Sequence, residues 1–598
     1  MKLLVPHTGE PQQADARLAR LAQFLGISCE PLRLEKQIQQ HATYLERAVP
    51  DHNCCLVVNP QVMREWVGED VLPAELVSCL VSHFPHLLVH AVTLQPFVAS
   101  IVASLSGGAL SSVHPVADPG RPYEIPMDSK DVCGPFSGLS FGPINPSNDR
   151  VFGVEAGGNT VRKLICIGDQ PLMAAVRRDA TQMLCLASGD VTDVNVHAGY
   201  SPLDQHFSRL MPHAMALRYI FGEECWHPCE SHASIIVDDP LLRPNYGFLN
   251  FEALLRLMRE HKFHTTIAFI PYNYRRNSAR VLRLFMENPK YFSLCYHGND
   301  HTQSEFASRD LDFLNSALAI AEERMRRQYE ASTLRCDKVM VFPQSDFSLE
   351  AMQVLKSRNF YAAVSSAWHP LGQPTLPTAG EICQPAILRF GGFPLFGRNS
   401  VRDTRSQDVA FNIFFGKPVL TGEHHDSFEN SRRLVDGVQR INAVAPGISW
   451  SNLAVAISGS FLRRRAADGT VQIRAYSPTV AVENDSESVE RFCVEWAQPA
   501  PCSFFEQVLQ DGAAFADAEV DDAGISARAD LAPGASHTFS VSYRNSHATV
   551  GDLGLRWNAK AFLRRRLSEA RDNYLSKNPQ VLKALEALRA RFPRAAEG

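Results

Sequence analysis

The chain has 598 residues, of which 45% are hydrophobic and 21% are charged, proportions that are typical of a soluble globular protein. This composition excludes a disordered chain, a collagen-like repeat and a coiled coil. Lys and Arg number 59 against 64 Asp and Glu, a net charge of −5. Because no strong positive field results, nucleic acid is not expected as a main partner.

The first residues, MKLLVPHTGE, contain too short an apolar run for the core of a signal peptide. The 14 cysteines include no CxxC pair, and reduced thiols fit that pattern better than a disulfide framework. Both observations predict a cytoplasmic protein. The uncharged stretch from Leu76 to Ala117 is interrupted by prolines and histidines. We therefore interpret it as buried α/β core and expect no membrane span.

The amino-terminal region alternates short apolar runs with helical patterns, which predicts a parallel sheet covered by helices. Residues 1–120 are expected to form a doubly wound, Rossmann-like α/β domain. Residues 121–228 are expected to form a second α/β region with a linker, in which Val161–Ile167 is a strand and Pro171–Leu184 a helix. The predicted fold class is thus a multidomain α/β protein.

Residues 229–450 show the clearest repetition, with apolar strand candidates separated by helical patterns such as Phe251–Glu260. This repetition predicts a deformed, seven-stranded β/α barrel with its active site at the carboxyl ends of the strands. The seven candidates are Ser234–Val237, Thr265–Ile270, Phe292–Tyr296, Lys338–Phe342, Tyr361–Ser365, Ala386–Phe390 and Pro418–Gly422.

The carboxyl-terminal region changes to short β-rich runs, beginning with Leu453–Ile457. Residues 451–558 are expected to form a β-sandwich. Residues 559–598 are basic and helical in pattern, and Pro579 is expected to begin the last helix. Its apolar face would dock on the sandwich or on a second subunit, which leaves a homo-oligomer open. That face consists of Val581, Leu582, Leu585, Leu588 and Phe592.

Ionisable residues cluster where the predicted barrel strands end. The first strand ends in Asp238-Asp239, and the third is followed by His297 and His301. Two His and one carboxylate form a common ligand set for a divalent metal with open positions. Asp239 is the natural third ligand. Zinc is the favoured ion, and cobalt, iron, nickel and manganese remain open. A carboxylate beside the metal can act as general base, and a histidine opposite can protonate a leaving group.

These residues resemble the polysaccharide deacetylase superfamily, also called the NodB-homology or carbohydrate esterase fold. Asp238 and Asp239 match its first motif, which implies a catalytic base followed by a metal ligand. The run from His297 to His301 matches its HxxxH motif, with Gly298 where Ser or Thr is usual. The resemblance also implies a catalytic His after the last strand, either His424 or His425, of which we favour His425.

One departure from the family concerns its third motif, which carries an Arg and a Pro on the fourth strand. Here Pro343 is present without the Arg, and Arg389 on the predicted sixth strand is a candidate replacement. The residues expected to contact substrate are Arg389, Pro343, Trp368 and Asp300. Arg389 could instead form a salt bridge, and Trp368 could stack on a sugar ring or only pack in the core. The resemblance implies metal-dependent removal of an N- or O-acetyl group from a carbohydrate or a glycan precursor.

Two alternatives remain open at this point. A glycosidase or a cyclic amidase could use the same barrel, and a glycosidase would pair Asp238 with Asp346 or Asp426. The missing Arg also fits a glycan-binding or regulatory protein with reduced catalysis. The pentapeptide FLRRR occurs at Phe461–Arg465 and again at Phe562–Arg566, and no function follows from that repeat.

Overall fold

This computed structural model describes residues 1–36, 38, 40–155, 161–199, 202–373, 375–496, 505–521, 524–544, 551–575 and 577. The chain is a mixed α/β protein, which confirms the α/β part of the predicted class. The predicted terminal helix from Pro579, with its apolar face, lies outside the described residues. No helix in the described ranges has the length and apolar character to cross a membrane.

The amino-terminal region contains strands and helices on both sides of residue 120. Its strands are β1 (Lys2–His7), β2 (Cys29–Arg33), β3 (Cys54–Val58), β4 (His86–Val89), β5 (Leu110–Pro115), β6 (Tyr123–Glu124), β7 (Ser140–Phe141), β8 (Arg150–Val154), β9 (Val161–Ile167), β10 (Gln170–Arg178) and β11 (Thr181–Leu186). Its helices are α1 (Gln13–Phe24), α2 (His41–Ala48), α3 (Pro60–Val67), α4 (Ala74–His83), α5 (Pro96–Ser106), α6 (Lys130–Cys133) and α7 (Pro202–Phe221).

One nine-stranded mixed sheet, in the order β2-β1-β3-β4-β11-β10-β9-β6-β7, runs through this region. The strands from β2 to β11 in that order are parallel, and the remaining pairs are antiparallel. Alternate residues of β1 point to opposite faces, so Leu3 packs in one apolar cluster and Leu4 in another. The sheet therefore has a buried core on each face.

The predicted helix at Pro171–Leu184 is wrong, because these residues form the antiparallel hairpin of β10 and β11. The chain reverses at Asp179, whose φ is 52°. A short apolar run fits either a strand or a buried helix by its pattern alone. Pairing with β9 and β4 on the two sides decides in favour of strands.

The central region carries the second large sheet. Its strands are β12 (His227–Pro228), β13 (His232–Asp238), β14 (Asn245–Tyr246), β15 (Leu249–Asn250), β16 (Thr265–Phe269), β17 (Phe292–Tyr296), β18 (Asp337–Val341), β19 (Ala362–Ser365), β20 (Leu395–Gly397), β21 (Asn399–Ser400), β22 (Val419–Glu423) and β23 (Ser449–Trp450). Its helices are α8 (Phe251–His261), α9 (Ala279–Glu287), α10 (Leu311–Ser332), α11 (Leu349–Ser357), α12 (Ala379–Ile382), α13 (Ser406–Phe414) and α14 (Arg432–Val444).

This sheet has the order β20-β19-β18-β17-β16-β13-β22-β21, and its neighbouring strands are parallel. A single residue, Arg398, separates β20 from β21, so the two edges of the sheet are consecutive pieces of chain. All but one of the predicted strands of this region form. Ala386–Phe390 makes only an isolated bridge from Ile387 to Leu395, and the sixth strand position is taken by Leu395–Ser400 instead.

The carboxyl-terminal region has two further sheets. Its strands are β24 (Leu462–Arg465), β25 (Val471–Ala475), β26 (Thr479–Glu483), β27 (Glu490–Trp496), β28 (Phe505–Gln510), β29 (Ala513–Ala514), β30 (Ala518–Asp521), β31 (Gly524–Leu531) and β32 (Ser536–Tyr543). The orders are β12-β24-β25-β27-β31-β30 and β26-β32-β28-β29. Residues from both sheets, such as Ile473 and Phe539, share one apolar cluster.

The described part of this region also has two helices, α15 (Leu453–Ser458) and α16 (Leu555–Ala570), the latter followed by a π-helical turn at Arg571–Leu575. The predicted strand at Leu453–Ile457 is therefore wrong. The Asn452 side chain accepts a hydrogen bond from the backbone N–H of Val455 and caps α15. This local cap favours the helix over the strand that the apolar run indicated.

Candidate metal centre and active site

Two consecutive aspartates face one cavity at the carboxyl edge of the central sheet. Successive residues of a strand normally point to opposite faces. Here β13 ends at Asp238, and Asp239 adopts a left-handed conformation with φ of 76°. This conformation is uncommon for a residue with a side chain. It turns the chain so that both carboxylates line the cavity, whose volume is about 800 Å³.

The loop after β17 brings two histidines to the same cavity. Gly298 has φ of 68°, and a Cβ atom at this position would lie 2.7 Å from Cγ of Pro343. This close approach explains why glycine stands between the histidines. The buried carboxylate of Glu305 accepts hydrogen bonds from the backbone N–H groups of Asn299, Asp300 and His301. The loop is therefore held in place from within.

The side chains of Asp239, His297 and His301 converge on one point. Oδ1 of Asp239 lies 3.1 Å from Nε2 of His301 and 3.4 Å from Nε2 of His297. The three prospective ligand atoms all lie within 4.8 Å of one another. Oδ1 of Asp239 is buried and has no hydrogen-bond partner among the described residues. An orphaned carboxylate oxygen between two imidazoles fits a divalent cation.

The orientation of His297 supports the same interpretation. Its Nδ1 lies 2.8 Å from the carbonyl oxygen of Val341, and because a carbonyl only accepts, Nδ1 carries the proton. This leaves a lone pair on Nε2, directed at Asp239. Histidines that bind metals commonly donate their other ring N–H to a carbonyl or carboxylate in this way.

The protonation states of His301 and Asp239 also suit metal ligation. Burial lowers the pKa of His301 to about 3, so its imidazole is neutral at physiological pH. Burial alone would raise the pKa of Asp239, but the neighbouring His301 and His297 outweigh it and hold that pKa well below its ordinary value. A neutral imidazole and an ionised carboxylate are the forms that bind a cation. Burial lowers the pKa of His297, but the carboxylates of Asp238 and Asp239 outweigh it and raise that pKa, so a cation would displace a proton there.

Asp238 forms a bidentate ion pair with Arg398, the residue that separates β20 from β21. The Nη1 and Nη2 atoms of Arg398 donate to the two carboxylate oxygens at 2.7 and 2.5 Å, and both side chains are buried. Burial raises the pKa of Asp238, but the charge of Arg398 and of nearby His297 outweighs it and lowers that pKa. Asp238 is therefore held ionised and in one orientation.

His424 and His425 follow β22 and occupy different environments. The His424 side chain is exposed to the cavity, with Nε2 4.0 Å from Oδ2 of Asp238. His425 is buried, and its Nε2 lies 3.3 Å from Oδ1 of Asp572 in the π-helical turn. Its ring also packs edge-on against Tyr246. His424 is thus the imidazole that a ligand in the cavity can reach.

The structure brings together the predicted Asp238, Asp239, His297, His301, His424 and His425. The residues predicted to contact substrate, all of them described, do not line this cavity. Arg389 pairs with Glu381, and Pro343 packs beside Gly298. The Asp300 carboxylate accepts hydrogen bonds from Arg324 and Trp557. Trp368 packs against Gly397 and the ammonium of Lys417.

Two parts of the site were missed by the sequence analysis. Arg398 lies nine residues beyond Arg389, between β20 and β21. The apolar pattern had placed the sixth strand too early, at Ala386–Phe390. The other part is the segment from α16 to Asp572, which contributes Arg564, Arg565, Arg571 and Asp572 to the cavity. Its only signal was the second FLRRR, at Phe562–Arg566, which has no recognised meaning.

No family model and no curated protein sequence matches this chain. Among solved structures, it is similar to Agd3, described as a novel carbohydrate deacetylase, with 9% identity and a TM-score of 0.49 over 90% of this chain and 98% of that chain. A family 4 carbohydrate esterase from Streptomyces lividans, in complex with acetate, has 10% identity and a TM-score of 0.25 over 39% of this chain and 96% of that chain.

A family 4 acetyl xylan esterase from Clostridium thermocellum, in complex with a cobalt ion, has 10% identity and a TM-score of 0.24. That alignment covers 38% of this chain and 90% of the esterase. Similarities of this size do not establish a family for the chain. Its function has to be inferred from the side chains at the site.

Proposed function

We propose that the chain is a metal-dependent hydrolase that removes an acyl group, most simply acetyl, from a carbohydrate or glycan precursor. The observation that carries this proposal is the buried cluster of Asp239, His297 and His301 next to the ion pair of Asp238 and Arg398. Zinc is the favoured ion for two imidazoles and a carboxylate. The proposal includes closure of the central sheet through Arg398 into a seven-stranded β/α barrel.

Each side chain would have a distinct role in the hydrolysis. A divalent cation on these ligands would polarise the acyl carbonyl and lower the pKa of a water molecule. Asp238, which Arg398 holds in position, would accept a proton from the attacking water. His424 would donate a proton to the departing nitrogen or oxygen as the bond between that atom and the acyl carbon breaks. The products are a carboxylate and a free amine or hydroxyl.

The geometry favours His424 over His425 for this proton transfer. His424 is exposed to the cavity near Asp238, whereas Nε2 of His425 already faces Asp572. We assign His425 to holding the carboxyl-terminal segment against the sheet. A glycosidase is the second candidate. Its acid would have to be Asp426, because the pKa of Asp238 is lowered and Asp346 does not line the cavity.

The test is acetate release from a panel of N- and O-acetylated sugars by zinc-loaded protein. We expect release that requires metal and falls about 100- to 10,000-fold in Asp238→Asn, the range typical of a lost general base. Asp426→Asn, which removes an exposed carboxylate from the same cavity, is the matched control. A loaded protein that releases no acetate contradicts the proposal. Equal loss in both variants, with cleavage of glycosidic bonds, would favour the glycosidase.

A further inference from the structure

The carboxyl-terminal segment, residues 555–575, forms one wall of the proposed active site. It is fixed to loops at the carboxyl edge of the central sheet by several contacts distributed along its length. These are Trp557 Nε1 to Asp300 Oδ2 at 2.9 Å, Arg565 Nη2 to the His301 carbonyl at 3.1 Å, Tyr246 Oη to Asp572 Oδ2 at 2.7 Å and the Gly247 N–H to Asn573 Oδ1 at 2.9 Å. These contacts fix the position of the segment, so its side chains have defined places in the cavity wall.

The two faces of α16 are used in the reverse of the usual way. Phe562 and Leu563 face outward, with 53% and 58% of their surface exposed. The next two residues, Arg564 and Arg565, line the cavity, as does Arg571 one to two turns later. A surface helix normally buries its apolar stripe and exposes its charges. Burying a guanidinium group is costly unless it finds a partner, so a buried, inward-facing arginine such as Arg565 indicates a polar ligand.

Arg565 is the arginine for which this reasoning is strongest. Its surface is only 7% exposed, and its Nε is buried without a hydrogen-bond partner. Among the described residues it forms no ion pair with a carboxylate. Its Nη2 lies 3.1 Å from the carbonyl oxygen and 3.4 Å from Nδ1 of a proposed metal ligand, His301. Two other cavity arginines have carboxylate partners, since Arg398 pairs with Asp238 and Arg571 with Asp572. A bound cation nearby would add further positive charge.

We propose that Arg565 binds an anionic group of the substrate, a carboxylate or a phosphate, next to the acyl group that is removed. The planar guanidinium is suited to either group, and Arg571 lies on the same wall. The substrate class is then an acylated sugar that carries a negative charge close to its acyl group. This inference rests on the proposed hydrolase function and adds the charge of the substrate to it.

The first experiment compares matched acetylated oligosaccharides in the zinc-loaded full chain. One has a C6 carboxylate, a second a C6 phosphate, and the third is the neutral parent. We expect kcat/KM for one charged form to exceed that of the neutral form by about 10- to 100-fold, the usual effect of a hydrogen bond to a charged group. The carboxylate and phosphate arms identify the anion. A wild-type protein that prefers the neutral sugar overturns the inference.

Variants then locate the effect at Arg565. In Arg565→Gln the ratio of charged to neutral kcat/KM should fall close to one, whereas Arg565→Lys should keep part of the preference. Arg566→Gln is the control, because Arg566 is the adjacent arginine on the exposed face, with its side chain 58% exposed. An equal loss for charged and neutral sugars in Arg565→Gln would mean a structural or general catalytic role and would overturn the proposal.

Binding measurements separate this inference from the hydrolase proposal. Calorimetry with the deacetylated charged and neutral oligosaccharides requires no turnover. Tighter binding of a charged form, reduced in Arg565→Gln with metal content unchanged, supports the inference even where no acetate is released. Equal affinities overturn it even in a protein that releases acetate. If Arg565→Gln loses its metal or fails to fold, Arg565→Lys takes its place in locating the effect, and a wild-type protein without a preference for a charged form still overturns the inference.

Discussion

Two sheets of this molecule carry Asp, Asn and His side chains near the carboxyl ends of parallel strands. In the amino-terminal sheet, Asn59 follows β3, His90 follows β4 and Asp15 lies on α1. Nδ2 of Asn59 is 3.1 Å from both oxygens of Asp15, and Nε2 of His90 is 2.7 Å from Oδ1. These three side chains are buried and satisfy the carboxylate among themselves.

The central sheet arranges the same residue types differently. Oδ1 of Asp239 lacks a hydrogen-bond partner, and the two imidazoles beside it line a cavity of about 800 Å³. The difference shows that residue type at a strand end does not by itself define a site. A carboxylate with both oxygens satisfied stabilises a fold, whereas an orphaned one beside a cavity is available to a ligand.

The largest expected effect comes from the double variant His297→Ala/His301→Ala. It should lower the bound zinc from about one equivalent per chain to background and abolish acetate release, because two of three ligands are lost. Metal analysis by mass spectrometry checks this. The control is His90→Ala in the amino-terminal cluster, which should keep its metal. Equal metal content in the double variant and the wild type would contradict the assignment of the metal site to the central sheet.

The next effect concerns the buried ion pair. Arg398→Met should leave Asp238 charged and unpaired, which costs about 3–5 kcal/mol for a buried pair, while Arg398→Lys should cost less. Denaturant unfolding followed by tryptophan fluorescence measures the loss. Arg389→Met breaks the more exposed pair with Glu381 and should cost about 1 kcal/mol or less. Equal losses of stability in Arg398→Met and Arg389→Met would contradict a special contribution of the buried pair between Arg398 and Asp238.

His424 and His425 should separate chemistry from structure. His424→Ala should lower kcat by about 100-fold, a typical contribution of acid catalysis, without altering protease resistance of the carboxyl-terminal segment. His425→Ala should expose residues 555–575 to proteolysis, because the contact with Asp572 is lost. Limited proteolysis with mass spectrometry and steady-state kinetics decide the matter. The reverse pattern would make His425 the proton donor.

The smallest effect tests the amino-terminal cluster. His213 packs edge-on to His90, at 6.1 Å between ring centroids, and both its ring nitrogens are buried without hydrogen-bond partners. Burial, followed by the proximity of His90, lowers its pKa well below 6.5. The unfolded chain therefore takes up the proton more readily, and this term destabilises the fold as the pH falls below about 6.5.

His213→Leu should remove that term and stabilise the protein by about 1 kcal/mol, the typical cost of a buried unsatisfied group. Thermal unfolding at pH 7.5 and pH 5.5 measures it. The variant should lose less stability on acidification than the wild type, with His206→Leu as a partly buried control. A larger loss in His213→Leu would show that His213 is stabilised by contacts beyond those described.

Local sequence was sufficient to predict some features of this protein. The Asp238-Asp239 pair ends a strongly apolar run, and the HxxxH spacing needs only one turn of chain to direct two imidazoles to one point. Most strands of the central sheet could also be predicted, because each is a short apolar segment between helical patterns. These features depend on residues that are close in the sequence.

Only the tertiary structure decided the rest of the site. Arg398 meets Asp238 across 160 residues, and Arg565 meets His301 across 264 residues. No local pattern encodes such contacts. Because the sixth strand was predicted at Ala386–Phe390, the sequence analysis chose Arg389 instead of Arg398. The sequence by itself determined which residues could carry metal chemistry. Packing of distant segments decided which carboxylates are satisfied and which arginines face the cavity, because burial and partners are properties of the folded chain.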